Sequence, residues 1–275
     1  MSDTTAVMQR VAERFVAARL AACALQDYPG PLPGTLVEAY GRQDVAIALW
    51  PDELAGWKVG GIADPLAARL GESRLVGPIF RRNLWRARTD AVTRLPIIPG
   101  GFAAVEAEYV FVLAASASAE RTEWTPAQAA DLVAELRVGV ELAGSPLATI
   151  NELGPAVVVS DFGNNAGLVL GEPIDDWRSR PLQSLTCETH VDWHRVGRGG
   201  AASVAGGPLA ALAFALGSCA RRGRPLRGGD VVSTGACTGI HPIRIDEEAQ
   251  AVFDGAAELR CRGVRATPAS LRQAP

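Results

Sequence analysis

Apolar positions near the start of the chain recur at helical spacing. Val7, Val11, Phe15, Val16 and Leu20 fall on one stripe, which predicts a helix over about 6–25. Pro29, Gly30, Pro31, Pro33 and Gly34 then interrupt the pattern, and a second helix is expected from Thr35 to about Ala46. The segment 56–60 reads as a short strand. After Pro96-Ile97-Ile98-Pro99-Gly100-Gly101 the pattern changes. Residues 103–115 are almost continuously apolar apart from Glu106 and Glu108, the pattern of a central strand covered on both faces. Thr125, Pro126 and Gln128 occupy the N-cap, N1 and N3 positions of a capping box, predicting a helix to about Leu136. Short strands are expected at 138–143, 156–159 and 167–170. A strand pair is expected at 185–196 and 201–204, turning through Gly197 to Gly200. Pro208 opens a helix that closes on Arg221, Arg222 and Gly223, and 230–234 is a strand running into a Gly-rich loop. The pattern implies a mainly β core with a helical N-terminal part, divided here into residues 1–94 and 95–275.

Composition narrows the function classes. The chain has 275 residues, a formal charge of −3 and a pI near 5.7, without the basic face that nucleic-acid binding requires. No apolar stretch approaches the ~20 residues of a membrane span. The polar, acidic N-terminus does not read as a signal peptide. The five cysteines are far apart and never in a CxxC pair, which points to reduced packing cysteines and a cytoplasmic location. Of 27 basic residues 26 are Arg; the exception, Lys58, lies in Gly56-Trp57-Lys58-Val59-Gly60, so no Walker A loop is present. No GxGxxG follows a strand either.

The candidate chemistry lies in Val105-Glu106-Ala107-Glu108-Tyr109. Residues two apart on a strand share a face, so both carboxylates point the same way inside an apolar run. Two buried acids repel, and a hard divalent cation such as Mg²⁺ or Mn²⁺ would relieve the repulsion; solvated acids on an edge strand are the alternative. Glu141, in another short apolar strand, is the candidate third ligand. Lys58 sits in an apolar segment, where a desolvated ammonium can exchange protons or pair with an anion. His190 and His194 are about 13 Å apart along a strand, too far for one ion, and read as a solvated face. His241 follows a Gly-rich loop, and the hydroxyls and N–H groups of 233–239 suit a carboxylate.

Taken together, these motifs resemble the fumarylacetoacetate hydrolase superfamily, in its branch of 2-keto-4-pentenoate hydratases and 4-oxalocrotonate decarboxylases. The resemblance rests on Gly56 to Gly60, Glu106-Ala107-Glu108, Glu141, Ser160-Asp161-Phe162 with Gly167 to Gly171, Gly207-Pro208, and Leu226 to Gly235. It implies an α+β fold, a mixed β-sandwich roll with a helical N-terminal segment, assembled as a homo-oligomer. It also implies a Mg²⁺ or Mn²⁺ site at Glu106, Glu108 and Glu141, a catalytic Lys58, and substrate contacts from Lys58, Ser160, Asp161, Thr234 and Thr238. The implied activity is a lyase of aromatic catabolism: hydration of a short 2-hydroxy-2,4-dienoate, or decarboxylation of a 2-oxo-3-enedioate. A weakly active partner subunit is a further alternative. The chain departs from the hydratase pattern at Leu75, where an acid is usual, and at Ile62 and Ala63, where hydroxyl residues are common.

Overall fold

The computed structural model describes residues 3–88, 91–254 and 257–268. Two helices come first, α1 (Asp3–Ala21) and α2 (Leu36–Leu49). The Thr35 hydroxyl caps α2 by accepting the Glu38 N–H, and the Glu38 carboxylate accepts the Gly34 N–H at 2.8 Å. The strands follow as β1 (Leu54–Gly61), β2 (Arg74–Phe80), β3 (Leu84–Arg86), β4 (Thr93–Ile97), β5 (Phe102–Leu113), β6 (Val133–Ser145), β7 (Asn165–Pro173), β8 (Thr186–Val191), β9 (His194–Gly200), β10 (Val231–Ser233), β11 (His241–Pro242), β12 (Glu248–Phe253) and β13 (Ala257–Arg265). Between them lie α3 (Leu66–Leu70), α4 (Pro126–Ala130), α5 (Pro155–Ser160) and α6 (Pro208–Arg221).

The large sheet runs β2-β1-β10-β5-β6-β7-β3, with β11 also on β5; the smaller runs β4-β13-β12-β8-β9. This is an α+β fold of mixed sheets behind a helical N-terminal segment. Pairing is mostly antiparallel, but β1 lies parallel to β10, β3 to β7, and β4 to β13. Three strands that precede residue 94 thus belong to the same sheet as β5, β6 and β7.

Strand parity sorts the large sheet into two chemically different faces. Val105, Ala107, Tyr109 and Phe111 of β5, Val138, Val140 and Leu142 of β6, and Trp57 and Val59 of β1 enter one apolar core. That core is shared with α6 and the smaller sheet, whose Phe253 ring meets Tyr109 edge-on at 5.5 Å. The intervening residues, including Lys58, Glu106, Glu108 and Glu141, occupy the opposite face.

The helical segment fixes one border of that second face. Gln43 of α2 is fully buried and its amide donates to the carbonyls of Val76 (3.1 Å) and Val159 (2.9 Å). Arg19 of α1 is buried against Asp161, with Nε and Nη2 at 2.6 and 2.9 Å from the two carboxylate oxygens, and it also donates to the Gly144 carbonyl. Phe162, Gly163 and Asn164 follow in left-handed backbone conformations (φ 55°, 64° and 64°), which are costly for the two non-glycine residues. This turn lies directly on Gly77: a Cβ there would fall 2.1 Å from the Phe162 carbonyl oxygen, so only glycine fits.

Four elements differ from the sequence reading. The helix opened by Thr125 ends after one turn at Ala130, and β6 begins at Val133, eight residues before Glu141. Residues 156–159 are helical rather than extended, because Gly154 and Pro155 start α5. The hairpin turns at Asp192 and Trp193, both with positive φ, while Gly197 to Gly200 lie within β9. Gly199 is needed there because a Cβ would meet the Cys237 carbonyl oxygen at 1.9 Å. The expected strand at 201–204 is absent, and a short 3₁₀ turn takes its place.

The Arg19–Asp161 pair gives a direct test. Arg19→Ala leaves the Asp161 carboxylate buried with only the Ser145 hydroxyl as a side-chain donor. We expect a loss of about 3–5 kcal/mol in denaturant unfolding. A loss below about 1 kcal/mol would show that the pair does not anchor α1 to the sheet.

Candidate metal centre and active-site cavity

Four strands converge on one buried cluster. Glu106 and Glu108 leave β5 on the same face, and the β5–β6 register sets Glu141 directly across from Glu106. Lys58 on β1 stands opposite Ser233 on β10, and Ser233 opposite Val110 on β5. Glu108 and Glu141 are 0% exposed, and Glu106 and Lys58 are 5% exposed. A carboxylate oxygen from each glutamate lies within 4.8 Å of those of the other two. Lys58 Nζ is 3.4 Å from Glu141 Oε1.

Neutral donors hold these acids in place without satisfying them. The Ser233 hydroxyl and the Gly235 N–H (2.8 Å) both donate to Glu108 Oε2. Asn165 Nδ2 donates to Glu141 Oε1 at 2.9 Å. Glu108 Oε1 and Glu141 Oε2 are buried with no hydrogen-bond partner. Unpartnered carboxylate oxygens in a dry site are costly, and a cation coordinated by oxygen removes that cost. The donor set, all carboxylate, fits a hard divalent cation and not a soft one.

Electrostatics point the same way. Burial pushes the Glu106 carboxyl up to about 7, reinforced by repulsion from Glu141 and opposed by Lys58. Burial also holds Glu108 well above the usual carboxylate range, with Glu141 and Glu106 adding to it. Burial disfavours the Lys58 ammonium, but attraction from Glu141, Glu106 and Glu108 outweighs it and leaves the pKa above that of an ordinary lysine. Lys58 therefore carries its proton at neutral pH.

Lys58 and Glu106 form the floor of a cavity of about 840 Å³. Its walls include Ile62, Arg74, Leu75, Asn164 and Thr234. The Leu75 side chain and Lys58 Nζ share the space above Gly60: a Cβ on Gly60 would meet them at 3.2 and 3.6 Å.

The structure thus brings Lys58, Glu106, Glu108, Glu141 and Thr234 to one place. Ser160, Asp161 and Thr238 do not line this cavity. Ser160 Oγ donates back to the Ala156 carbonyl within α5, and Asp161 is held by Arg19 and Ser145. Thr238 Oγ1 lies 2.8 Å from Thr189 Oγ1 and 3.1 Å from His241 Nε2, so these side chains satisfy one another. Even Thr234 reaches the cavity with its hydroxyl donated to the Tyr109 carbonyl. The 233–239 loop does bind a carboxylate as its composition suggested, but that carboxylate is Glu108. Asn165, Asn164 and Arg74 were not anticipated; Asn164-Asn165, immediately before an apolar strand, was the available signal.

No family model and no curated protein matches the sequence. Solved structures do match. A 4-oxalocrotonate decarboxylase from Pseudomonas putida G7, complexed with magnesium and adipate, superposes with a TM-score of 0.78 at 19% identity over 94% of this chain and 97% of that one. Its complex with calcium and acetate gives 0.76 at the same identity and coverage. The chain has the fold of the fumarylacetoacetate hydrolase superfamily. A fumarylpyruvate hydrolase from Pseudomonas aeruginosa, in complex with Mn²⁺ and pyruvate, matches at 0.51 with 16% identity over 76% of this chain and 88% of that one. Within this superfamily fold, no helix among the described residues is long and apolar enough to cross a membrane.

A raised carboxylate pKa has a definite sign in stability. Between the ordinary value near 4.5 and about 7, the folded chain holds a proton on Glu106 that the unfolded chain has lost. Metal-free protein should therefore lose stability as pH rises through that window. Thermal melts of chelator-treated protein at pH 5 and pH 7.5 test this, with Glu106→Gln expected to flatten the dependence. Mn²⁺ should raise the melting temperature more at pH 7.5 than at pH 5, because binding must displace the protons. An equal Mn²⁺ effect at both values would contradict the assignment.

Proposed function

We propose that this protein is a divalent-metal-dependent lyase of short 2-oxo acids, and that decarboxylation of a 2-oxo-3-enedioate is its reaction. The observation that carries the choice is Leu75. It occupies the wall beside Lys58 where hydration would need a group able to activate water, and leaves a complete carboxylate–lysine site with an apolar neighbour. The similarity to a decarboxylase complexed with magnesium and adipate supports this reading.

Glu106, Glu108 and Glu141 would hold Mg²⁺ or Mn²⁺, with Ser233, Gly235 and Asn165 fixing the orientation of the carboxylates. When bound, such a cation supplies Lewis acidity that stabilises negative charge on the oxygens of a 2-oxo acid. Lys58 holds its proton on Nζ at the cavity floor, where it donates to the substrate's carboxylate or oxo oxygen. As the bond to the departing CO₂ breaks, its electron pair passes into the conjugated chain toward the oxo oxygen. Lys58 Nζ is the group placed to return a proton. Leu75 and Ile62 keep water from the chain while charge is delocalised.

Hydration of a 2-hydroxy-2,4-dienoate is the second reading, and one observation favours it. Asn164 is 3% exposed and lines the cavity, yet its Oδ1 has no hydrogen-bond partner, so it could hold a water.

Product analysis separates the two. Metal-loaded protein should release CO₂ from a 2-oxo-3-enedioate and leave a 2-hydroxydienoate intact. A hydroxy-oxo acid formed from the dienoate, with no CO₂ from the enedioate, would establish the hydratase instead. Lys58→Arg should lower kcat by about 10²-fold or more while Mn²⁺ still binds. Full activity in that variant would remove the proton-handling role.

A further inference from the structure

The cavity changes character from floor to mouth. The polar residues of the floor, Lys58, Glu106, Asn164 and Thr234, are each no more than 5% exposed. At the mouth the polar residues Asp64, Ser73, Glu152 and Ser203 are exposed. An apolar belt separates the two. Ile62 and Leu75 are buried there, with half-buried Leu66, Ala67 and Val158 beside them. These five side chains belong to one apolar cluster, although they come from β2, α3, α5 and the chain after β1. Buried Val204 adds to the belt from a distant part of the sequence.

Strand register sets this belt against the reactive end of the cavity. Gly60 stands opposite Leu75, and Lys58 precedes Gly60 by two residues, so Lys58 and Leu75 leave the sheet on the same face. Gly60 contributes no side chain between them, and the space above it passes from the Lys58 ammonium directly onto leucine. An apolar wall in a water-filled cavity is an unfavourable surface until a ligand covers it. The volume of about 840 Å³ lies in the range that encloses a drug-sized ligand. The 2-oxo acid group that the carboxylate–lysine cluster would engage fills only the floor. Ile240, 52% exposed at the cavity wall, continues the apolar surface outward.

We propose that the belt binds a hydrocarbon substituent, so that the substrate is a 2-oxo acid carrying an alkyl or aryl group on its chain. This inference rests on the proposed 2-oxo acid site and deepens it by naming what the rest of the substrate bears. It does not depend on whether CO₂ leaves or water adds. The belt offers no charge and no hydrogen bond, so recognition comes from apolar area removed from water and grows with the size of the substituent. The substituent takes no part in bond breaking, and its contribution belongs to binding of the substrate.

Calorimetric titration of the Mn²⁺-loaded protein with pyruvate, 2-oxobutanoate, 2-oxohexanoate and 2-oxooctanoate tests this without turnover, because none of these acids carries a carbon–carbon double bond. Affinity should rise about two- to fourfold with each added methylene. Ala67→Phe fills the belt from α3, and Val204→Asn makes it polar from a separate segment. Each should cut the ratio of 2-oxooctanoate to pyruvate affinity by about tenfold or more while Mn²⁺ still binds. Equal affinity across the series would overturn the proposal. So would an unchanged ratio in either variant that binds Mn²⁺ as the native chain does. Failure of the 2-oxo acid site looks different: none of the four acids binds, and the belt proposal falls with it. Failure of the lyase reading alone leaves the length dependence intact, with no product formed from an enedioate or a dienoate.

Discussion

Three carboxylates and a single ammonium lie buried together on one face of a β-sheet, and the rest of the structure is arranged around that imbalance. In a site of low dielectric the ammonium cannot neutralise all three acids, and the neutral donors from Ser233, Gly235 and Asn165 orient them without cancelling their charge. Two carboxylate oxygens are left with no partner. A bound divalent cation resolves both the charge and the unmet acceptors at once. The same imbalance keeps Lys58 protonated, the state its proposed role as a proton donor requires.

The scaffold makes this possible by separating the two faces of one sheet. The apolar residues of β5, β6 and β1 pack with α6 and the smaller sheet, so the strands are held without help from the polar face. The helical segment then closes the border, through Gln43 on the β2 backbone and Arg19 on Asp161. The left-handed turn at Phe162 to Asn164 rests on Gly77 and carries Asn164 into the cavity wall. Strain in that turn is borne by contacts on both sides, and its position next to Lys58 ties the N-terminal helices to the site.

Much of the site could be read from local pattern. Alternation on an apolar strand places Glu106 and Glu108 together, and the only lysine in an arginine-rich chain marks Lys58. The supporting residues could not be read the same way. Ser233 and Asn165 matter because of strand register, which pairs residues far apart in the chain. The anchoring of Asp161 cannot be read locally either, because its partner, Arg19, lies 142 residues away. Residues 156–159 were read as a strand because a short apolar run with β-branched residues fits either structure, and Gly154-Pro155 was the deciding signal.

The buried carboxylates of Glu106, Glu108 and Glu141 are proposed to form a single divalent-cation site. Crystals grown with Mn²⁺ and measured near the manganese absorption edge test it most directly. One anomalous peak is expected, bounded by carboxylate oxygens of Glu106, Glu108 and Glu141. No peak there, or a peak only elsewhere on the chain, would contradict the claim.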